Sequence, residues 1–235
     1  MTRIRLKFTK MGNTKFISHL DLSRLMERAF RRAEIPLNFT QGYHPHPKIS
    51  FATALALGVS SEGEYMDIEI EKSMDLNILQ EQLNRQLPNG IQIIECAYIK
   101  EDVPSLMSEI DYGAYIIRCE LYQEFEEIQI IHSIEEFLGK KEIWIEKISK
   151  KNKEKKVNIR PFIREFVLFK KEQLHCDFRL IVSTGSKQNI KPEIVIETFC
   201  TLFKIPILPE KIRMHRLDLY IEKNQQLLTP IEIGL

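Results

Sequence analysis

The chain has 235 residues, enough for one large or two small domains, and 43% of them are hydrophobic, which supplies a packed core and excludes a disordered chain. No apolar run reaches the roughly eighteen residues of a membrane-spanning helix, and the start Met1-Thr2-Arg3-Ile4-Arg5 lacks the apolar stretch of a secretion signal, so a cytoplasmic address and no membrane partner are expected. The formal net charge is only +1, yet residues 1–50 carry ten Lys/Arg against three Asp/Glu, residues 51–150 carry eight against twenty, and residues 151–200 carry eleven against six.

Arg3 to Thr9 alternate polar and apolar residues, the period of a half-buried strand, until Gly12 and Asn13 interrupt it. Ser18 is placed to cap a helix, with Asp21 where a capping box would have Glu or Gln. That helix runs to about Ala33 and ends before Pro36. Leu22, Leu25, Met26, Ala29 and Ala33 make its apolar face, and Arg24, Arg28, Arg31 and Arg32 occupy the rest. The loop Gln41-Gly42-Tyr43-His44-Pro45-His46-Pro47-Lys48 follows, then a short strand from Ile49. Glu64 to Glu71 alternate as another strand, Met74 to Leu87 form an amphipathic helix closed by Pro88-Asn89-Gly90, and Ile91 to Ile99 form a fourth strand.

Pro104 and Ser105 mark a boundary, after which the same order recurs. Strands are expected at 111–121, 142–148, 174–183 and 214–222, with helices at 123–138 and 192–203, the latter opened by Pro192 and Glu193. Residues 157–169 read equally as a strand or as a short helix opened by Pro161. The expectation is an α+β chain of two tandem ferredoxin-like (βαββαβ) domains, antiparallel sheets with helices on one face, divided as 1–102 and 103–235. The two halves share architecture without a residue-level repeat.

Four groups of residues bear on chemistry. Arg24, Arg28 and Arg31 recur at four and three residues, and Arg32 borders them. Planar guanidinium forks suit phosphate oxygens, so these four with Lys15 and Lys48 form the candidate nucleic-acid-binding set. His19, His44 and His46 are the candidates for general acid–base work, with imidazole titrating near neutrality; together with Asp21 they are also the weaker candidates for a metal site. The competing reading is structural: Pro45 and Pro47 hold His44 and His46 extended in a stiff loop. Residues 56–67 contain Gly58 and Gly63 but no Gly-Lys-Ser/Thr, so they are read as a hairpin connection rather than a phosphate loop. Lys150 to Lys156 make a basic run that serves either as a solvated loop or as a phosphate-contacting arm. Cys96, Cys119, Cys176 and Cys200 form no C-x-x-C pair and no three-cysteine cluster in sequence, which argues against a zinc ribbon or an iron–sulfur cluster held by this chain; no cofactor is expected.

The stretch from Phe16 to Ile70, with His19-Leu20-Asp21, Arg24, Arg28, Arg31-Arg32, Pro36, Gly42, Pro45, Pro47-Lys48, Gly58 and Glu64, resembles the radical-SAM-associated (radical-SAM-linked) bacterial proteins, a domain of unknown function. "VNIRPFI" at 157–163 and "TGSKQNIKPE" at 184–193 are similar to that family's later segments. The resemblance implies a cytoplasmic bacterial protein with a radical SAM protein as partner and no assigned activity. Because the chain lacks a three-cysteine cluster, any radical chemistry falls to the partner. The resulting expectation is a module that binds structured RNA for a radical SAM modifying enzyme, more a binding protein than an enzyme on its own. Its alternatives are a metal-independent endoribonuclease of the tandem ferredoxin-like type and a protein–protein adaptor docking through the acidic middle of the chain.

Overall fold

Alternation along Thr2–Lys10 makes strand β1, with Ile4, Leu6 and Phe8 turned into an apolar core. In the computed structural model, which describes residues 2–100, 103–148 and 154–234, helix α1 (His19–Arg32) packs on that side. Ser18 caps it: the Ser18 Oγ accepts the Asp21 N–H at 3.1 Å and donates to Asp21 Oδ2 at 2.7 Å. Leu22, Met26, Ala29 and Phe30 are its buried residues. Strands β2 (Ile49–Phe51) and β3 (Ser60–Ile70) follow, then α2 (Leu76–Asn84), capped by Asp75, and β4 (Ile93–Ile99). The pairing is β4–β1–β3 with β2 also on β3, all antiparallel, so Leu6 lies opposite Met66 on one side and Cys96 on the other. This is the strand order of a ferredoxin-like domain, as expected. A four-residue helix, α3 (Leu106–Glu109), ends this stretch.

The second compact unit is Tyr112–His215. It holds β5 (Tyr112–Glu120), α4 (Glu127–Gly139), a separate hairpin of β6 (Trp144–Ile148) and β7 (Glu154–Asn158), then β8 (Ile163–Glu172), β9 (His175–Ser183) and α5 (Pro192–Leu202). β9 pairs antiparallel with both β5 and β8. Phe137, Phe166, Phe178 and Phe199 meet edge-to-face or tilted in its core, the Phe166 and Phe199 ring centres 4.8 Å apart. Both readings of residues 157–169 are realised in sequence: Arg160–Phe162 make one 3-10 turn around Pro161, and β8 begins at Ile163. Most of the basic run at 150–156 lies outside the described residues.

The chain then forms β10 (Arg213–Lys223), β11 (Gln226–Leu228) and α6 (Pro230–Gly234). The sequence assigned these to the second half, but Arg216–Leu235 group with Met1–Asp111 in the first unit. The reason is local chemistry. β10 approaches β3 so closely that a Cβ on Gly63 would stand 2.6 Å from the Asp218 Cα. Leu219, Ile221 and Ile231 join Tyr65, Ala97, Leu106 and Ile110 in a second core of that unit.

That second core corrects another expectation. Alternation predicts a half-buried β1. In the structure Arg5 is 0% exposed. Its guanidinium holds both oxygens of Asp67, at 2.7 and 3.0 Å, and donates to the Pro230 carbonyl at 2.7 Å. Arg3 also reaches Asp67, at 2.6 Å. Lys7 and the Tyr65 hydroxyl share Asp218, each at 2.6 Å, and Arg216 holds Glu64 at 2.9 Å. Basic residues of β1 and β10 and acids of β3 and β10 thus pair between two apolar layers. No helix among the described residues is long and apolar enough to cross a membrane.

Candidate functional site

Once Leu22, Met26, Ala29 and Phe30 turn inward, Arg24, Arg28, Arg31 and Arg32 are left exposed on α1. At about 100° per residue, Arg28 and Arg32 lie about 40° and 80° to one side of Arg24, and Arg31 about 20° to the other. The structure follows that division. Arg24, Arg28 and Arg32 line a cleft of about 570 Å³ with Arg85 from the end of α2, over a floor that includes Ile17, Leu25, Leu87 and Pro88. Arg31 faces a separate groove of about 250 Å³ with Glu27, Glu34 and Phe39.

The four arginines are held to different degrees. Arg32 is oriented by Gln86: its Nη2 donates to the Gln86 carbonyl at 2.6 Å and its Nε to Gln86 Oε1 at 3.3 Å. Arg85 pairs with Glu81 one turn earlier on the exposed face of α2. Arg24 stands 3.9 Å from Asp21, and both side chains are 60% exposed. Arg28 has no ion pair or hydrogen bond among the described residues. Exposed pairs of this kind contribute only about 0–1 kcal/mol, so they leave the guanidinium groups available to a stronger anion. Asp21 is the one carboxylate among the lining residues, against four arginines.

A 3-10 turn, Gly12–Phe16, leads into Ile17 of the cleft. Met11 N–H donates to the Gly90 carbonyl at 2.7 Å. Gly90, at φ +98°, permits this contact because a Cβ there would lie 2.5 Å from the Met11 oxygen. Lys15 is on this turn, its ammonium 5.0 Å from the centre of the Phe16 ring. Lys48 is elsewhere: it pairs with Glu69 at 2.6 Å and borders a different cleft with Arg3, Ser50 and Ser105. Of the six basic residues singled out in the sequence, three share one cleft, Lys15 is on the 3-10 turn that precedes its Ile17, and Arg31 and Lys48 face other surfaces.

The histidines do not line the cleft. His19 is exposed and meets Phe51 edge-on at 5.2 Å, and His44 meets Tyr43 edge-on at 5.7 Å. The segment around His46 is a closed turn, with Thr40 N–H on the His46 carbonyl at 2.8 Å and His46 N–H on the Thr40 hydroxyl at 3.0 Å. Among the described residues no group of three or more His, Cys, Asp or Glu is placed to hold a metal, so His19, Asp21, His44 and His46 are not brought together as a ligand set. The cysteines are free. Cys119 and Cys176 face each other across β5 and β9, and burial pushes their thiols up to about 12 and about 11. Cys96 is pushed up to about 12 by burial and by Glu95. Thiols so far from ionisation are poor ligands and poor nucleophiles.

Two features were missed in the sequence. Arg85 and Gln86, which complete the cleft, sit at the end of a helix read only for its leucines. The pairing of Arg3 and Arg5 with Asp67 carried a signal, because Arg5 and Asp67 stand opposite each other in the paired alternating strands β1 and β3, whereas Lys7 finds its acid, Asp218, on β10.

A family model described as "Uncharacterized protein conserved in bacteria (DUF2344)" matches residues 3–192. No curated protein matches the chain. Among solved structures, the chain is similar to one in the crystal structure of a Cbf5-Nop10-Gar1 complex, at TM-score 0.52 and 12% identity, covering 92% of this chain and 47% of that one. A chain in the archaeal box H/ACA sRNP Nop10-Cbf5 complex gives TM-score 0.48 at 12% identity, over 92% and 46%. At 12% identity the first of these likenesses is one of fold. The chain spans about half the length of the chains it matches.

Proposed function

The chain belongs to the DUF2344 family of uncharacterized proteins conserved in bacteria, and for it we propose a binding function: it grips the phosphate backbone of structured RNA in the cleft of Arg24, Arg28, Arg32 and Arg85. The observation that carries the reading is the imbalance of that cleft, four guanidinium groups around one carboxylate, with Arg28 unpartnered among the described residues. Arginine forks match phosphate oxygens in pairs, and fixing Arg32 on Gln86 lowers the entropy lost on binding. In this proposal the module works in the bacterial cytoplasm and presents its RNA to a radical SAM modifying enzyme. The resemblance over residues 16–70 supports that partner.

Anisotropy titrations of a labelled hairpin RNA across a salt series test the binding. Affinity falls steeply with salt, because each phosphate contact releases counterions. Arg28→Gln reduces the slope of log affinity against log salt by about 0.7–0.9, one contact's worth, with unchanged thermal stability. Affinity indifferent to salt, or a slope untouched by Arg28→Gln and Arg24→Gln together, removes the proposal. Co-purification of the tagged chain with a radical SAM protein from a bacterial host tests the partner.

A further inference from the structure

The 3-10 turn Gly12–Phe16, which leads into Ile17 of the arginine cleft, displays an exposed aromatic ring. Phe16 is 61% exposed, although it precedes Ile17, which is part of the cleft floor. Leu20 on α1, four residues before Arg24, and Leu57 are also largely exposed. The Lys15 ammonium lies over the Phe16 ring, and the ring keeps its exposure with that cation in place. The turn is not loose: Lys10 Nζ donates to the Ile17 carbonyl at 2.8 Å, Gly58 N–H to the Lys15 carbonyl at 2.9 Å, and Met11 N–H to Gly90. A fixed aromatic face beside a cationic cleft is the arrangement that binds an unpaired base by stacking while its backbone is held by charge. The sheet of the same unit does not offer this, because its face away from α1 and α2 is buried in the second core.

We infer that Phe16 is a stacking platform for an unpaired nucleobase of the RNA whose phosphates occupy the arginine cleft. The inference rests on the cleft's being an RNA backbone site and adds what that site selects: single-stranded or looped RNA over continuous duplex. Charge complementarity commits the exposed ring to a nucleotide, because the Lys15 ammonium lies over it and the next residue, Ile17, lines the arginine cleft.

The test compares a hairpin RNA carrying an unpaired loop with a blunt duplex of the same stem, in anisotropy titrations of the full chain. Phe16→Ala weakens binding of the loop RNA about five- to a hundredfold, the range for one lost base stack, without altering its salt slope or the affinity for the duplex. Phe16→Tyr keeps the wild-type affinity, and 2-aminopurine placed in the loop is quenched by wild type and Phe16→Tyr but not by Phe16→Ala. Loop-RNA affinity within twofold of wild type in Phe16→Ala overturns the inference and leaves the patch to a protein partner. Equal weakening on both RNAs also overturns it, because the ring then supports the turn. The combined Arg24→Gln and Arg28→Gln variant is the separate control: its failure to lower the salt slope on either RNA sinks the cleft reading itself.

Discussion

Arg5 and Arg28 carry the same group and meet opposite surroundings. Arg5 is sealed between two apolar cores, and its charge is met by Asp67 and a carbonyl. Arg28 is exposed in an open cleft and has no ion pair or hydrogen bond among the described residues. The first arrangement is structural, because a buried ion pair is costly to break from one side. Asp67→Ala leaves Arg5 charged and unpaired and lowers unfolding free energy by about 3–5 kcal/mol in urea denaturation. Replacing both partners by apolar residues of similar volume recovers most of that loss. Sequence alone separated neither arginine's role. Arg5 occupies the polar phase of an alternating strand, which reads as solvent-facing until a second layer covers it. The exposure of Arg28 was legible, because α1 has one apolar face and Arg28 is not on it.

At the level of elements, α1 was the most legible part of the chain. Its cap at Ser18 and its stop before Pro36 follow from local rules and hold in the structure, as do the inward Leu22, Met26, Ala29 and Ala33, but Leu25 is only half-buried, on the cleft floor, and the fully buried Phe30 was not expected. Its exit was not legible. After Ala33, Glu34 takes a left-handed conformation, φ +55°, and Ile35 N–H donates to the Phe30 carbonyl at 3.1 Å. The end of α5 repeats the device: Lys204 is at φ +54° and Ile205 N–H donates to the Cys200 carbonyl at 2.9 Å. In both, the following isoleucine is buried and a proline then ends the helix, as Glu34-Ile35-Pro36 and Lys204-Ile205-Pro206. Glycine is the usual signal for such a cap, and its absence hid both. Glu34→Gly therefore raises stability by about 1 kcal/mol, read as a shift in the urea midpoint at constant slope.

For the whole molecule, the informative fact is that the first unit is built from both ends of the chain. The Pro230 carbonyl accepts from buried Arg5, Ile231 lies in the second core, and Asp218 serves both Lys7 and Tyr65. Deleting residues 230–235 removes one acceptor and one buried isoleucine, which costs this unit about 3 kcal/mol. Hydrogen exchange of β1 amides, measured separately from those of β9, is expected to speed up in β1 alone.

The sequence by itself determined the order of strands and helices in the first hundred residues, their ferredoxin-like pattern, and the arginine coat of α1, because periods of two and 3.6 and capping rules act within a few residues of chain. Tertiary structure decided which arginines share a cleft, that Arg85 and Gln86 complete it, that three basic residues of β1 have acidic partners, and that the last twenty residues belong with the first hundred and eleven. Those outcomes depend on which surfaces cover which others. A charged side chain reads the same in sequence whether water or a carboxylate from two hundred residues away surrounds it.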